Sequence, residues 1–575
     1  MQKIKQLISE KLSRYAAEAF PGSTLTPADI VSMLEYPPDS GMGDLALPCF
    51  KLSRLLRRSP VQIAETLAAG LCTAAQERPC PVGSANAVNG YLNIRISDAY
   101  LVGSVLPEIL QKGDKYGAPV GWEGKKIVLD YSSPNVAKPF HIGHLGTTVI
   151  GHSLKMLFEF AGCECVGINH LGDWGTQFGK LITAFRLWGN REEVEEKGID
   201  ELVALYVRFH AEAEKDASLE DRARAEFTKL EHGDKENLEL WRWFVDISIK
   251  EYNKTYKQLG IEFDSYNGES FYTDKMPEQV EILRQKNLMK LDDGASIVDL
   301  SAYDMPPCLI LKRDGSTLYP TRDIAAAVYR KRTYNFDKCI YVTSAGQCLH
   351  FQQWFKVMEL MGYDWADELV HVPYGTVSIN GSKLATRTGN VILLKDLFAQ
   401  AIEKVKAIMA EKSPDLANRD EAAEAVGVGA VVFYYLSGSR MRDINFIMED
   451  ALSFDGNTGP YVQYTYARTC SVLEKAGEVG DVDMNITAPE EAELLKIMCR
   501  FRERAEAAIN DYEPFYITRF ILDVASAFNR FYHNCRIIDE ADEVVRTTRI
   551  KLTQAVNIVL GRAFGLICLK KMSKI

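Results

Sequence analysis

Two short stretches of this chain carry residue types suited to handling phosphates. The first, Lys138-Pro139-Phe140-His141-Ile142-Gly143-His144, lies between a strand-like run and a helical run. Two histidines flanking a glycine set ring donors beside the backbone N–H groups of a helix start, where unpaired N–H groups and the helix dipole favour anions. Gly143 leaves room for a nucleotide to lie against the backbone. Taken alone, two chance turn histidines and a zinc site compete with this reading, but no nearby carboxylate or thiol completes a metal set. The second stretch, Asn380-Gly381-Ser382-Lys383-Leu384-Ala385-Thr386-Arg387-Thr388-Gly389-Asn390, is a polar loop after a predicted strand. Its two cations can close over a triphosphate and stabilise charge developing in a transition state. On its own, such a loop is more often solvated surface.

The elements that must position these residues follow from the apolar pattern. Ile127-Val128-Leu129-Asp130-Tyr131 suits a buried parallel strand, 145–160 is helical, and Cys165-Val166-Gly167-Ile168 suits the next strand. Strand, helix, strand begins a doubly wound sheet. Residues from about 180 to 290 are mostly amphipathic helix, including 200–215 and 236–259. Strand-like runs return at 308–311, 339–342 and 369–372, so the sheet is expected to be split by a helical insertion and to resume near residue 300. Helical periodicity dominates after about 400, with Gly456-Asn457-Thr458-Gly459-Pro460 opening the last helical region. The first 112 residues read as a separate α+β unit. Ile4, Leu7, Ile8 and Leu12 form one helical stripe, 50–56 starts a second helix bearing Arg54, Arg57 and Arg58, and Asn89-Gly90 turns into a strand. The expected division is 1–112, 113–400 with its insertion, and 401–575, of which 450–575 is the main helical body.

A chain of 575 residues, 47% hydrophobic and 25% charged, can bury several cores and is not a disordered protein. Its net charge of −11 argues against coating nucleic acid by bulk charge, though a local basic track still permits binding. After Glu543 the tail supplies such a track with Arg546, Arg549, Lys551, Arg562, Lys570, Lys571 and Lys574. No apolar run reaches the ~18–20 residues of a spanning helix, and the N-terminus lacks a secretory signal core. Twelve scattered cysteines suit reduced thiols in a cytoplasm, and Cys163 and Cys165, the one close pair, suggest no metal site.

Together the two phosphate-handling stretches resemble the signature pair of class I aminoacyl-tRNA synthetases: His141-Ile142-Gly143-His144 is the HIGH element, and Lys383-Leu384-Ala385-Thr386-Arg387 is similar to KMSKS. Five ordered blocks narrow the resemblance to the arginyl-tRNA synthetase family: Asp130-Tyr131-Ser132-Ser133-Pro134-Asn135-Val136-Ala137-Lys138-Pro139-Phe140, His170-Leu171-Gly172-Asp173-Trp174-Gly175, Leu318-Tyr319-Pro320-Thr321-Arg322-Asp323, Gly346-Gln347-Cys348-Leu349-His350-Phe351-Gln352-Gln353 and Asp455-Gly456-Asn457-Thr458-Gly459-Pro460-Tyr461. The resemblance runs nearly end to end. It implies a multidomain α/β protein: a Rossmann-type parallel-sheet catalytic domain with a helical insertion, a small α+β N-terminal tRNA-binding domain and an all-α anticodon-binding domain. The implied reaction joins L-arginine to ATP, releases pyrophosphate, and moves arginine to the 2′-hydroxyl at the 3′ end of tRNA(Arg). Mg²⁺ is expected on the nucleotide phosphates rather than in a protein cage. A cytoplasmic monomer is expected.

Residue by residue, the resemblance assigns His141, Gly143, His144, His350, Gln353 and Lys383 to ATP, with Lys138, His141, His144 and Lys383 catalytic. It assigns Asp130, Ser133, Pro134, Asn135, His144, Tyr319, Asp323 and Gln347 to arginine, whose guanidinium needs carboxylates and planar acceptors. Arg54, Tyr461, Tyr464, Arg468, Asn529 and Tyr532 are the implied tRNA contacts, with rings for unpaired bases and cations for phosphates. Four departures stand out. Thr386 replaces the second lysine of KMSKS, a loss many family members share, and Lys138 is the implied substitute. Gly146 stands where arginine is common, Ala385 where serine is, and Asp130 where glutamate is frequent. The terminal Lys571-Met572-Ser573-Lys574 spells most of KMSKS but follows a helical pattern and has no room to form a loop, so it reads as a decoy. A synthetase for another amino acid and a catalytically weak regulatory relative are the competing readings. Tyr319, Asp323 and Gln347 speak against the first, and intact His141, His144, Lys138 and Lys383 against the second.

Overall fold

The computed structural model describes residues 1–74, 80–383, 392–412 and 416–575. The N-terminal region packs the helices Gln2–Ala19 and Pro60–Ala74 with a three-stranded antiparallel sheet, in which Tyr91–Ile96 is central between Leu45–Pro48 and Val82–Val88. The hairpin between the last two closes on Asn89 and Gly90, both at positive φ (49° and 80°), the backbone that matches the twist of the flanking strands. The helix expected over 50–56 is broken: a 3₁₀ turn, Cys49–Leu52, leads into a single turn, Ser53–Leu56, ended by Arg57 at φ 50°.

Four parallel strands carry the centre of the molecule. They are β1 (Lys126–Asp130), β2 (Glu164–Ile168), β3 (Lys338–Ser344) and β4 (Leu369–Tyr374), in the order β4-β3-β1-β2. Ile127, Val128 and Leu129 are fully buried, as a strand covered on both faces must be. The chain leaves β1 to the β2 side first and returns on the other side through β3. The strand order therefore reverses between β1 and β3, and a crevice opens at their carboxyl ends. Helix α1 (Leu145–Phe160) follows β1 and packs closely beneath it, since a Cβ on Gly151 would overlap the Tyr131 ring.

The sheet is interrupted by helices, as expected, including Ile199–Ala213 and α2 (Lys235–Leu259). It does not resume near residue 300, however. Cys308–Leu311 pairs antiparallel with Ala295–Val298 in a separate three-stranded sheet with Met289–Asp292. A four-residue apolar run signals burial but not its partner. Here the neighbouring hairpin, turning on Asp293 and Gly294 at positive φ, lies closer in sequence than the parallel sheet. The second half of that sheet begins at β3, after α3 (Tyr319–Tyr334). Helix α4 (Cys348–Leu360) connects β3 to β4. Beyond β4, a small sheet joins Val377–Ile379 to Ser382–Lys383 and to Ile444–Phe446.

The remainder is helical, with α5 (Arg419–Leu436), α6 (Gly459–Ala476), α7 (Phe515–Asn534) and α8 (Glu543–Gly565) among its longer members. This body grips the catalytic sheet through α1: Ser153 Oγ donates to the Leu566 carbonyl (2.6 Å), and the Arg562 guanidinium lies over the Phe160 ring (4.4 Å). Gln463, fully buried on α6, donates to the carbonyls of Ala425 and Lys570 and so pins the C-terminal segment. The decoy residue Lys571 thus lies against Gly561 of α8 and Lys574 pairs with Glu474, on the helical body.

Candidate active site

A cavity of about 490 Å³ opens where the strand order reverses. Its walls come from the loop after β1 (Asp130, Ser132, Ser133, Asn135), from α1 (Thr147) with His144 just before it, from α3 (Tyr319, Asp323), from the end of β3 onward (Tyr341 to Ser344, Gln347, His350, Phe351), and from Tyr374, His170, Gly172 and Glu269. Seven of the eight residues assigned to arginine line it. Pro134, the eighth, is buried behind the wall, where its carbonyl accepts from Gly172 N–H (3.1 Å).

The loop after β1 holds an unusual backbone. Ser132, Ser133 and Ala137 all sit at positive φ (70°, 48° and 58°), a conformation that non-glycine residues keep only when their surroundings over-determine it. The bonds are present. Ser132 N–H donates to Thr147 Oγ1 (3.0 Å), and its hydroxyl meets Thr148 and Tyr256 (2.8 and 2.7 Å). Ser133 N–H donates to Asn169 Oδ1, Ala137 N–H to Ser248 Oγ, and the Tyr252 hydroxyl to the carbonyls of Asn135 and Lys138. Thr147 in turn donates to the Val342 carbonyl (2.6 Å), tying α1 to β3.

The two HIGH histidines form a unit. Gly143 N–H donates to His141 Nδ1 (3.1 Å) and His141 N–H to His144 Nδ1 (3.2 Å), so each ring carries its proton on Nε2. The ring centroids are 3.9 Å apart, and His144 stacks on Phe140. Burial holds both imidazoles below their usual range, His144 down to about 3, and the Lys138 charge pushes the same way. Both rings are neutral donors at neutral pH. Lys138 itself is exposed and forms no ion pair among the described residues.

Three carboxylates line the cavity, each with an internal partner. Asp130 meets the fully buried Arg330 (2.8 Å) and accepts from Ser133 Oγ (2.9 Å). Glu269 meets Arg322 (2.9 Å), and burial pushes its carboxyl up to about 7 against the pull of that arginine. Asp323 meets His350 Nε2 (2.6 Å) rather than an arginine of its own helix. Tyr319, 66% exposed, presents its ring one helical turn from Asp323.

Of the residues assigned to ATP, His144 and His350 line the cavity, with His141 and Gly143 beside them. Gln353 does not line the cavity. Its amide donates to the carbonyls of Pro306 and Pro307 (2.9 and 3.1 Å), which turns it from the cavity onto a neighbouring loop. The backbone of Lys383 lies in Ser382–Lys383, paired with Ser378. Its side chain and 384–391 lie outside the described residues. His170, Glu269 and Arg330 were not assigned from sequence. His170 lies in the block 170–175, which carries no assigned role, and Glu269 opens a short 3₁₀ turn that no motif marks.

Gly146 has a structural explanation. A Cβ there would overlap the Tyr435 hydroxyl from α5 and crowd the Tyr374 ring, so tyrosines occupy the space a side chain would need.

The C-terminal residues assigned to tRNA converge. Arg468 on α6 lies between the rings of Tyr464 and Tyr532 (5.0 and 4.8 Å), both substantially exposed, and donates to Asn529 Oδ1. The Asn529 amide donates to the Tyr461 hydroxyl and Thr465 Oγ1 (2.9 Å each). In the N-terminal region Arg54 is exposed, and the rings of Phe50 and Tyr91 meet edge to face (5.4 Å). The basic tail is a further correction. Arg549 pairs with Glu491 and Glu540, Lys551 with Asp481, Lys574 with Glu474, and Arg562 packs on Phe160, because α8 faces acidic neighbours. Arg546, Lys570 and Lys571 form no ion pair among the described residues, so only part of the track is taken up internally.

Family models match nearly the whole chain: "tRNA synthetases class I (R), catalytic domain" over 105–448, "DALR anticodon binding domain" over 462–575 and "Arginyl tRNA synthetase N terminal domain" over 2–96. An arginine–tRNA ligase of Alkaliphilus metalliredigens is 47% identical over all of both chains. One of Clostridioides difficile is 50% identical over 94% of this chain and 95% of its own. The fold matches that of the Thermus thermophilus arginyl-tRNA synthetase, with a TM-score of 0.80 at 24% identity over 99% of each chain.

Proposed function

The chain belongs to the arginyl-tRNA synthetases of class I, and on that premise we propose how its residues divide the work. The reaction is arginine–tRNA ligation: ATP activates arginine as arginyl-adenylate with release of pyrophosphate, and the arginyl group then passes to tRNA. One observation carries the assignment of parts: a single cavity gathers Tyr319, Asp323 and Gln347 beside the HIGH histidine His144. Purified protein, ATP, tRNA(Arg) and each amino acid in turn test it. Arginylated tRNA is the expected product, and charging with another amino acid, or binding without turnover, overturns it.

Asp323 and Gln347 take the guanidinium, which offers five donors in a fixed fork, and Tyr319 covers its plane. Ser133, Asn135 and His144 hold the α-amino and carboxylate end. The carboxylate attacks the α-phosphate in line, so the protein's task is alignment and charge stabilisation. His141 and His144 suit this as neutral Nε2 donors, strengthening their hydrogen bonds as charge builds on the phosphate oxygens. Lys138 and Lys383 take the pyrophosphate side. Lys138→Ala is expected to lower turnover about a hundredfold with tRNA affinity unchanged, as steady-state aminoacylation and filter binding read out. An unchanged rate removes Lys138 from the mechanism. Mg²⁺ arrives on the nucleotide. Its phosphate oxygens, rather than a protein cage, hold the ion.

A second cavity, about 580 Å³, shares Tyr319 and Glu269 with the first and adds Trp174, Phe227, Lys312 and Arg322. Aromatic and cationic walls beside the adenylate site suit the terminal adenosine of tRNA. The Tyr464–Arg468–Tyr532 cluster suits an unpaired anticodon base. Tyr532→Ala is expected to weaken tRNA binding by about 1–3 kcal/mol while leaving the arginine KM alone; an unaltered tRNA Kd assigns the ring to packing. Exposed Arg54, with Phe50 and Tyr91, suits a contact elsewhere on the tRNA. The working division is 1–112, 113–400 and 401–575. A cytoplasmic monomer completes the reading. All twelve cysteines are free, which suits a reducing compartment, and no helix among the described residues is long and apolar enough to cross a membrane.

A further inference from the structure

In the second half of the reaction a ribose hydroxyl of the tRNA terminus must lose its proton as it attacks the arginyl carbonyl. The groups already assigned are occupied otherwise. His141 and His144 are Nε2 donors whose Nδ1 atoms accept from the backbone. Asp130 is engaged at both oxygens, by Arg330 and by Ser133 Oγ, and Asp323 faces the guanidinium. The hydroxyl comes from the second cavity and the carbonyl lies in the first. Only two described residues line both cavities, Tyr319 and Glu269, and of these Glu269 alone is a carboxylate.

Resting on the ligase reading and on the second cavity as the seat of the terminal adenosine, we infer that Glu269 is the general base of the transfer step. Its carboxylate takes the hydroxyl proton while the ribose oxygen bonds to the carbonyl carbon. The bond from that carbon to the adenylate oxygen breaks, AMP leaves with the electron pair, and Glu269 returns the proton to solvent. The side chain is held for this task. Arg322 Nη1 meets Oε2 (2.9 Å), and no donor among the described residues meets Oε1, which is left to accept. Glu269 N–H donates to the Leu171 carbonyl (3.0 Å). The next residue, Ser270, donates from its N–H and its hydroxyl to Asp173 (2.8 and 2.6 Å), so the short turn that carries the base is anchored on both sides.

The surroundings tune the carboxyl for exchange near neutral pH, where a base is most effective. Burial comes first and pushes it up to about 7; Arg322 pulls it down, while Asp323 and Asp173 push it up again. Asp173 is also raised by burial, but Ser270 occupies both of its oxygens. His170, on the first cavity's wall, is lowered by burial. Glu231, raised by burial, lines the second cavity with Lys312 and Asp314, and none of the three reaches the first.

Two assays on the full-length protein separate the steps. Pyrophosphate exchange in the presence of tRNA(Arg) ending in a dideoxyadenosine reads activation alone, and single-turnover charging of intact tRNA(Arg) adds transfer. Glu269→Gln, which keeps the shape and an acceptor for Arg322, is expected to slow transfer about a hundredfold and exchange by less than about threefold. The wild-type transfer rate is expected to fall about tenfold per unit below about pH 7 and to level off above it, because the base must be unprotonated. Glu269→Asp should keep that profile at a reduced rate, and Glu269→Gln should lose it. Unimpaired transfer in Glu269→Gln, exchange lost in step with charging, or a wild-type profile flat through pH 7 overturns the inference. Phe227→Ala, in the second cavity, is expected to raise the KM for tRNA. If it does so while Glu269→Gln transfers normally, the base assignment alone fails; if it does not, the adenosine reading fails and the inference with it. A wild type that charges no arginine overturns the ligase reading itself.

Discussion

Asp323→Asn is expected to lower kcat/KM for arginine about a thousandfold, almost entirely through KM. Truncating one partner of a hydrogen-bonded charge pair in a desolvated site costs about 2–5 kcal/mol, and about 4 kcal/mol corresponds to three decades. Asparagine keeps the shape and one acceptor oxygen, so His350 still has a partner and the fold is not at stake. Only the negative charge opposite the guanidinium is lost. The other two cavity carboxylates cannot make up the difference, because Arg330 and Arg322 already hold them. The KM for ATP and the Kd for tRNA are expected to stay within about twofold, as steady-state kinetics with each substrate varied in turn will report. A loss smaller than about tenfold assigns guanidinium recognition to another group.

Asp130→Ala is expected to act on stability first. Arg330 is fully buried, lies over the rings of Tyr272 and Tyr341 (5.9 and 5.4 Å), and has Asp130 as its ion-pair partner. Removing one member of a buried pair strands the other charge, at a cost of about 3–5 kcal/mol. The same change takes the acceptor from Ser133 Oγ and loosens a loop whose positive-φ residues depend on every bond around them. Melting of the catalytic region, followed by intrinsic fluorescence, should shift down clearly. The double variant Asp130→Ala with Arg330→Met should recover most of that loss, since no charge is left unpaired, while arginine activation stays weak. If the double variant melts as low as the single one, the ion pair is not the cause.

Much of the catalytic frame was legible because its signals are unambiguous. β1, α1 and β2 fall within a residue of their expected bounds: a continuous apolar run, a helical stripe and a second run leave few alternatives. Membership of the cavity was legible in part, since the blocks at 130–140, 318–327 and 346–353 supply nearly half of its wall. Partnership was harder to read. Asp323 and Arg330 lie seven positions apart on one helix, yet Arg330 serves Asp130 and Asp323 meets a histidine 27 positions away on α4. Periodicity encodes which face is buried, whereas ionic partners are chosen across elements after the chain has folded. The same limit hid the antiparallel pairing of Cys308–Leu311, the Gln353 bonds to a proline loop, and the ion pairs that take up part of the basic tail.

The space above Gly146 carries a consequence for inheritance. Its Cβ position belongs to the Tyr435 hydroxyl, which comes from a helix almost three hundred residues further along the chain. The two positions are therefore one character. A chimera that imports a larger side chain at 146, but keeps Tyr435, joins two halves that collide here. A library that randomises 146 alone should return mostly glycine, while one that also shrinks residue 435 should admit larger side chains there.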